Sequence, residues 1–166
     1  MIHKIGILSD THISQCSGVF RQQVDVAFGD CETIIHAGDL TNLDVLEAFS
    51  GRTVYAVHGN MCNYNTRTNL PESRVVTLND HSIAICHGDG IWTDVEDSLL
   101  ERFPDVDCIV YGHTHRAVNH FTAGILLINP GSFRGTGRYG SPGTYAILTA
   151  REDKLSAAIH TLPQKS

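Results

Sequence analysis

Ile5-Gly6-Ile7-Leu8-Ser9-Asp10-Thr11-His12 sets a four-residue apolar run directly against Ser-Asp-Thr-His, and that junction decides the fold. The run is too short for a helix and ends abruptly in polar residues, which is how a strand buried on both faces reads. The same junction recurs down the chain. Thr33 to Ile35 is followed by His36, Ala37, Gly38 and Asp39, and Thr53 to Val57 by His58, Gly59 and Asn60. Ser82 to Cys86 delivers His87, and Asp107 to Tyr111 delivers Gly112, His113, Thr114 and His115. Gly124 to Ile128 is a sixth apolar run.

Between the early strands lie two expected helices, Val19 to Phe28 and Asn42 to Phe49, the second capped by Thr41 or Asn42 and closed before Gly51. A third covers Thr93 to Arg102 and stops at Pro104. Strands alternating with helices imply right-handed βαβ units and a parallel sheet. The second half changes character. Arg74 to Leu78 and His81 to Cys86 flank Asn79-Asp80, Val118 to Phe121 and Ile125 to Ile128 flank Thr122 to Gly124, and Tyr145 to Thr149 and Leu155 to His160 flank Arg151 to Lys154. All three read as hairpins. The expectation is an α/β fold with a pair of mixed sheets covered by helices. No linker, repeat or low-complexity segment divides it, so residues 1–166 are read as a single domain.

Hydrophobic residues make up 42% of the chain and charged residues 18%, which suits a packed core rather than a disordered segment. No apolar run approaches the roughly 18 to 20 residues of a membrane span, and Ser9 and Asp10 cut the first candidate short. That argues against both a spanning helix and a signal peptide. The net charge of −6 opposes non-specific binding to nucleic acid, which needs many Lys and Arg contacts. Five cysteines (Cys16, Cys31, Cys62, Cys86 and Cys108), odd in number and with no C-x-x-C pair, indicate neither a disulfide framework nor a zinc ribbon, and fit a reducing, cytoplasmic setting.

Ligands of open α/β sheets collect beyond the carboxyl ends of the strands. Five such ends carry imidazole, carboxylate or amide groups, namely Asp10 and His12, Asp39, Asn60, His87, and His113 and His115. These are ligands of Zn, Mn and Fe, and an alternating D-x-H or H-x-H aims two side chains at one centre when the segment is extended. Seven groups are too many for one ion. They suit two ions sharing a carboxylate, about 3.5 to 4 Å apart, which is how two metals clamp the attacking and leaving oxygens in phosphoryl transfer.

Asp10-Thr11-His12, Gly38-Asp39, Gly59-Asn60, His87-Gly88 and Gly112-His113-Thr114-His115 together resemble the calcineurin-like metallophosphoesterases, and within them the small bacterial and archaeal phosphodiesterase branch. The motifs stand in the family's order and span most of the chain. The resemblance implies a four-layer αββα sandwich, two mixed sheets face to face with helices outside. It implies that Asp10, His12, Asp39 and His115 hold one metal and Asp39, Asn60, His87 and His113 the other, with Asp39 bridging. It also implies two divalent ions, with Mn2+ the frequent activator and Zn2+, Fe2+ or Ni2+ accepted. The activity implied is hydrolysis of a small phosphate ester, a phosphodiester before a monoester, by attack of a metal-bridging hydroxide, with Asp39, Asn60 and His113 as catalytic residues. The family often forms homo-oligomers. Asn129-Pro130-Gly131-Ser132 resembles the loop that closes the pocket in the small branch.

Two positions depart from the pattern. Met61-Cys62 stands where the family carries His, or Cys-Asp in the small branch, after Gly-Asn, and Asp89 replaces a second His after His87. The first leaves the proton donor to the leaving group unassigned. His58, Ser132 and Arg134 are candidate substrate contacts, Arg116 a weaker one, and Asp89 a candidate partner for a metal-bound imidazole. His36 reads as an orienting residue, Cys62 as packing, and His3, His81, His120 and His160 as surface or hydrogen-bonded histidines. Two alternatives stay open. One is a phosphomonoesterase, and the other a non-catalytic scaffold like the retromer subunit that shares this fold, a role that the retained His12, His87, His113 and His115 argue against.

Overall fold

The computed structural model describes residues 1–135 and 141–163. Ten strands among them form two five-stranded mixed sheets. In the first, β1 (His3–Leu8), β2 (Thr33–His36) and β3 (Thr53–Ala56) run parallel, while β9 (Thr144–Ala150) and β10 (Leu155–Thr161) extend it antiparallel beyond β1. In the second, β5 (His81–Cys86), β6 (Cys108–Val110) and β8 (Ile125–Asn129) run parallel. The hairpin strands β4 (Ser73–Leu78) and β7 (Val118–Thr122) edge it antiparallel.

The layers follow from which residues each strand face buries. Ile5 and Ile7 of β1 point to the interior between the sheets, where they meet Ile35, Ile83, Ile85, Val110, Leu126, Ile128 and Leu148. Leu8 and Ile34 face the other way, onto Phe20, Val24 and Phe28 of α1 (Gly18–Phe28) and Phe49 of a 3₁₀ helix (Leu43–Phe49). On the far side Leu99 of α3 (Val95–Arg102) packs over Ala84 and Ile109 of the second sheet. The order is therefore helix, sheet, sheet, helix, as the sequence pattern and the resemblance anticipate. Each fully buried aliphatic contributes roughly 1.5–3 kcal/mol, so the three clusters anchor the strands from which the site loops leave.

Local chemistry accounts for the departures. The segment expected as a helix from Asn42 is 3₁₀ rather than α, because the Asn42 side chain accepts from the Asp44 amide only two residues on and favours the tighter turn. α3 begins two residues later than Thr93, since Asp94 caps it through the Asp97 amide. A short α2 (Tyr64–Asn69) was not anticipated, because YNTRTN has no apolar period. Its signal was the Asn63 cap, whose side chain accepts from the Thr66 amide. The hairpin loops are Asn79-Asp80 (φ 51° and 68°) and Ala123-Gly124 (φ 52° and 79°), left-handed pairs that match the strand twist. The second is one residue shorter than expected, since Thr122 still pairs with Ile125. No helix among the described residues is long and apolar enough to cross a membrane.

Candidate metal centre

The loops leaving β1, β2, β3, β5 and β6 converge. Asp10, His12 and His115 form one group whose ligand atoms all lie within 4.8 Å of one another, and Asp39, His87 and His113 form a second. The groups adjoin. His12 Nε2 is 3.5 Å from Asp10 Oδ1 and 3.7 Å from Asp39 Oδ2, and His87 Nε2 is 3.1 Å from Asp39 Oδ2 and 3.8 Å from Asp10 Oδ1. His115 Nε2 stands 3.2 Å from Asp10 Oδ1. Atoms sharing one tetrahedral ion at metal–ligand distances of 2.0–2.1 Å sit about 3.4 Å apart, so this spacing is that of a ligand set. Asp10 Oδ1, His12 Nε2 and His87 Nε2 are buried with no hydrogen-bond partner. Buried polar atoms gathered without partners are costly unless something satisfies them, and the donor set of imidazole and carboxylate fits a divalent metal.

The backbone does not deliver these side chains in the way an extended D-x-H would. Asp10, His12, Asp39, His113 and His115 all have left-handed φ, between 46° and 67°. Non-glycine residues adopt this region rarely, and Asp and His tolerate it better than most. The turn at each residue swings successive side chains differently, so His113 joins the Asp39 group and His115 the Asp10 group. Such conformations cost about 1–3 kcal/mol each and persist where the surroundings over-determine them. Gly38 (φ 99°) and Gly59 make room: a Cβ at Gly38 would lie 2.6 Å from His87 Nδ1, and one at Gly59 would overlap Asp39 Oδ1.

Each carboxylate has one oxygen tied down and one turned to the centre. Asp10 Oδ2 accepts from Ser9 Oγ (2.6 Å) and the His113 amide (3.2 Å), leaving Oδ1 inward. Asp39 Oδ1 accepts from the Met61 amide (2.8 Å), leaving Oδ2 inward. Burial raises the pKa of both, but the adjacent imidazoles of His12, His87 and His115 with the Ser9 hydroxyl at Asp10, and the His87 imidazole with the Met61 amide at Asp39, outweigh it and hold both below the ordinary value. Burial opposes charge on His87 as well, and Asp39 and Asp10 overcome it, lifting its pKa. His87 Nδ1 donates to the Ala37 carbonyl at 2.8 Å, which leaves Nε2 as the inward atom. That carbonyl, rather than the exposed Asp89, is the partner of this imidazole.

The remaining candidates fall in different places. Asn60 lies between Gly59, which packs on Asp39 and His87, and Met61, whose amide binds Asp39. The His58 Nδ1 is buried and unpartnered. Ser132 is buried and its hydroxyl donates to the Asp10 carbonyl (3.2 Å), while exposed Arg134 donates to the His12 carbonyl (2.8 Å), so both brace the first loop. Arg116 is exposed. Cys62 Sγ accepts from the Gly59 amide (3.3 Å) and joins neither ligand group. Two supports escaped the sequence reading. Ser9 bridges Asp10 and the Gly131 carbonyl (3.2 Å), and Asn129 donates to the Gly112 carbonyl (3.0 Å) and Thr114. Their signal was position, as polar residues ending an apolar strand beside a ligand loop.

Residues 3–153 match the family model described as the calcineurin-like phosphoesterase superfamily domain. The chain is 35% identical over 132 residues to a probable metallophosphoesterase of Methanocaldococcus jannaschii, covering 77% of this chain and 67% of that one. It is 30% identical over 150 residues to a phosphodiesterase of the same organism, covering 80% and 85%. Among solved structures, Vps29 of Entamoeba histolytica complexed with Zn2+ superposes with a TM-score of 0.76 at 23% identity, over 98% of this chain and 94% of that one, and shares the fold.

Proposed function

The chain belongs to the calcineurin-like phosphoesterase superfamily, and from that premise we propose that it is a phosphodiesterase whose dinuclear centre is held by Asp10, His12, Asp39, Asn60, His87, His113 and His115. The observation that carries this is the pair of adjoining ligand groups around the inward, unpartnered Asp10 Oδ1, His12 Nε2 and His87 Nε2. When bound, two divalent ions, Mn2+ in the first instance, lower the pKa of water toward neutrality and neutralise charge gathering on a phosphoryl oxygen.

The chain's own residues do the rest. Asp39 offers Oδ2 to both groups, 3.1 Å from His87 and 3.7 Å from His12, which supports it as the bridge. Asp10 Oδ1 faces both groups too and balances the second carboxylate against them. His113 and His115 are exposed, so the substrate enters from their side. Asn60 and His113 flank the phosphoryl group and orient it. At the leaving side the exposed Met61 has no proton to give, so the leaving oxygen departs as its anion unless His58 supplies one. A singly charged diester phosphorus admits hydroxide more easily than a dianionic monoester, which favours the diester reading. The scaffold reading requires a surface without a working centre, and the retained His12, His87, His113 and His115 weigh against it.

A panel of phosphodiesters and phosphomonoesters, assayed with metal analysis of the purified protein, tests the proposal. Turnover of diesters above monoesters with two ions per chain supports it. A metal-loaded protein inert on the whole panel contradicts it.

A further inference from the structure

We propose that His36 is a positioning residue that locks the Asp10 loop to the Asp39 loop, and so sets the separation of the two metal positions. The inference rests on the dinuclear reading above.

His36 ends β2 opposite Leu8 of β1 and is fully buried. It belongs to neither ligand group. Instead the Gly38 amide donates to Nδ1 (3.2 Å), which must then carry the lone pair and leaves the ring proton on Nε2, and Nε2 donates to Thr11 Oγ1 (3.2 Å). Burial pushes the ring's pKa down to about 4, which keeps this neutral tautomer at neutral pH. Gly38 immediately precedes Asp39, and Thr11 lies between Asp10 and His12. One imidazole therefore ties the segment carrying the bridging carboxylate to the segment carrying the other group's carboxylate and histidine.

The tie is needed because the ordinary ladder is running out there. β1 and β2 end at Leu8 and His36, and beyond them parallel pairing continues through single bonds, Ala37 N to Leu8 O (2.9 Å), Asp10 N to Gly38 O (2.9 Å) and His12 N to Asp39 O (3.1 Å), and an isolated bridge between Ile13 and Thr41. Asp10, His12 and Asp39 are all left-handed in this stretch, a conformation that holds only under independent constraint. The Thr11–His36 bond is a side-chain constraint across the two loops, and Thr11 is itself buried.

The test is Mn2+ binding to the full chain, by calorimetry and by electron paramagnetic resonance, which reports magnetic coupling between paired ions. Thr11→Val removes the acceptor with little change of shape, Thr11→Ser keeps it, and His36→Gln removes the ring while keeping a donor. We expect wild type and Thr11→Ser to bind two ions with a coupled spectrum. Thr11→Val should keep the first ion but bind the second about 10- to 100-fold more weakly, the range seen when supports behind metal ligands are lost, and lose the coupling. His36→Gln should fall between them. Thr11→Val matching wild type, or Thr11→Ser failing as badly as Thr11→Val, would overturn the brace while leaving the dinuclear centre intact. A wild-type protein that never binds a coupled pair would overturn the dinuclear reading and the brace with it.

Discussion

Metal-free protein should lose stability between pH 6.5 and 4 through His36 alone. Burial holds this ring at about 4, against 6.5 in an open chain. Between those values the unfolded chain binds a proton that the folded ring refuses, so the contribution of neutral His36 is complete above pH 6.5 and drains away as pH falls toward 4. At about 1.36 kcal/mol per pH unit, the gap amounts to ~3 kcal/mol, a large part of the roughly 5–15 kcal/mol that holds a domain folded. The neighbouring groups act elsewhere on the pH scale. His87, burial-opposed but lifted by Asp39 and Asp10, contributes below its raised pKa and loses that contribution as pH rises through it. Asp10 and Asp39, burial-opposed but lowered by their partners, contribute above 3.8 and lose it only as pH falls through their depressed values. Urea unfolding with a chelator at pH 6.5, 5.5 and 4.5 measures the effect. Wild type should lose ~2–3 kcal/mol more than His36→Gln across that range. Parallel stability curves for the two proteins would refute the reasoning.

Gly59→Ala should empty the centre, because its new methyl group would overlap Asp39 Oδ1 and lie 2.7 Å from His87 Cδ2. The expected cost is about 1–3 kcal/mol of stability together with loss of bound metal, read from melting curves and elemental analysis. Asp39→Asn should leave the fold intact and lower kcat by several orders of magnitude, and near-normal turnover with full metal content would remove Asp39 from the bridge. With Met61 at the leaving side, kcat should fall steeply from nitrophenyl to alkyl diesters. An acid in place is worth about 10² to 10⁴ in rate, so a shallow dependence that His58→Ala makes steep would identify His58 as that acid.

Much of this was legible in the sequence because strand and ligand signals coincide. An apolar run followed within a few residues by Asp10, Asp39 or His87 marks both a buried strand and its functional end, and the three hairpins announced themselves through Asn79-Asp80, Thr122 to Gly124 and Arg151 to Lys154. What stayed hidden depends on backbone handedness and through-space partners. The left-handed φ at His113 and His115 accompanies their assignment to different groups, while Asp10 and His12, also left-handed, share one; the resemblance implied that division, but a strand period of two gives no hint of the backbone handedness behind it. Ser132 and Arg134 stood in the sequence as candidate substrate contacts, but their hydrogen bonds to the Asp10 and His12 carbonyls, which span more than a hundred residues, could not be read there. The supporting roles of Ser9 and Asn129 were hidden for the same reason.

The central claim is tested most directly by a crystal structure grown with Mn2+ and phased on the anomalous signal of that ion. Two peaks about 3.5–4 Å apart, one against Asp10, His12 and His115 and one against Asn60, His87 and His113, with Asp39 Oδ2 reaching both, is the predicted result. A single peak, or imidazoles of His12 and His113 turned away from any ion under saturating Mn2+, would contradict it.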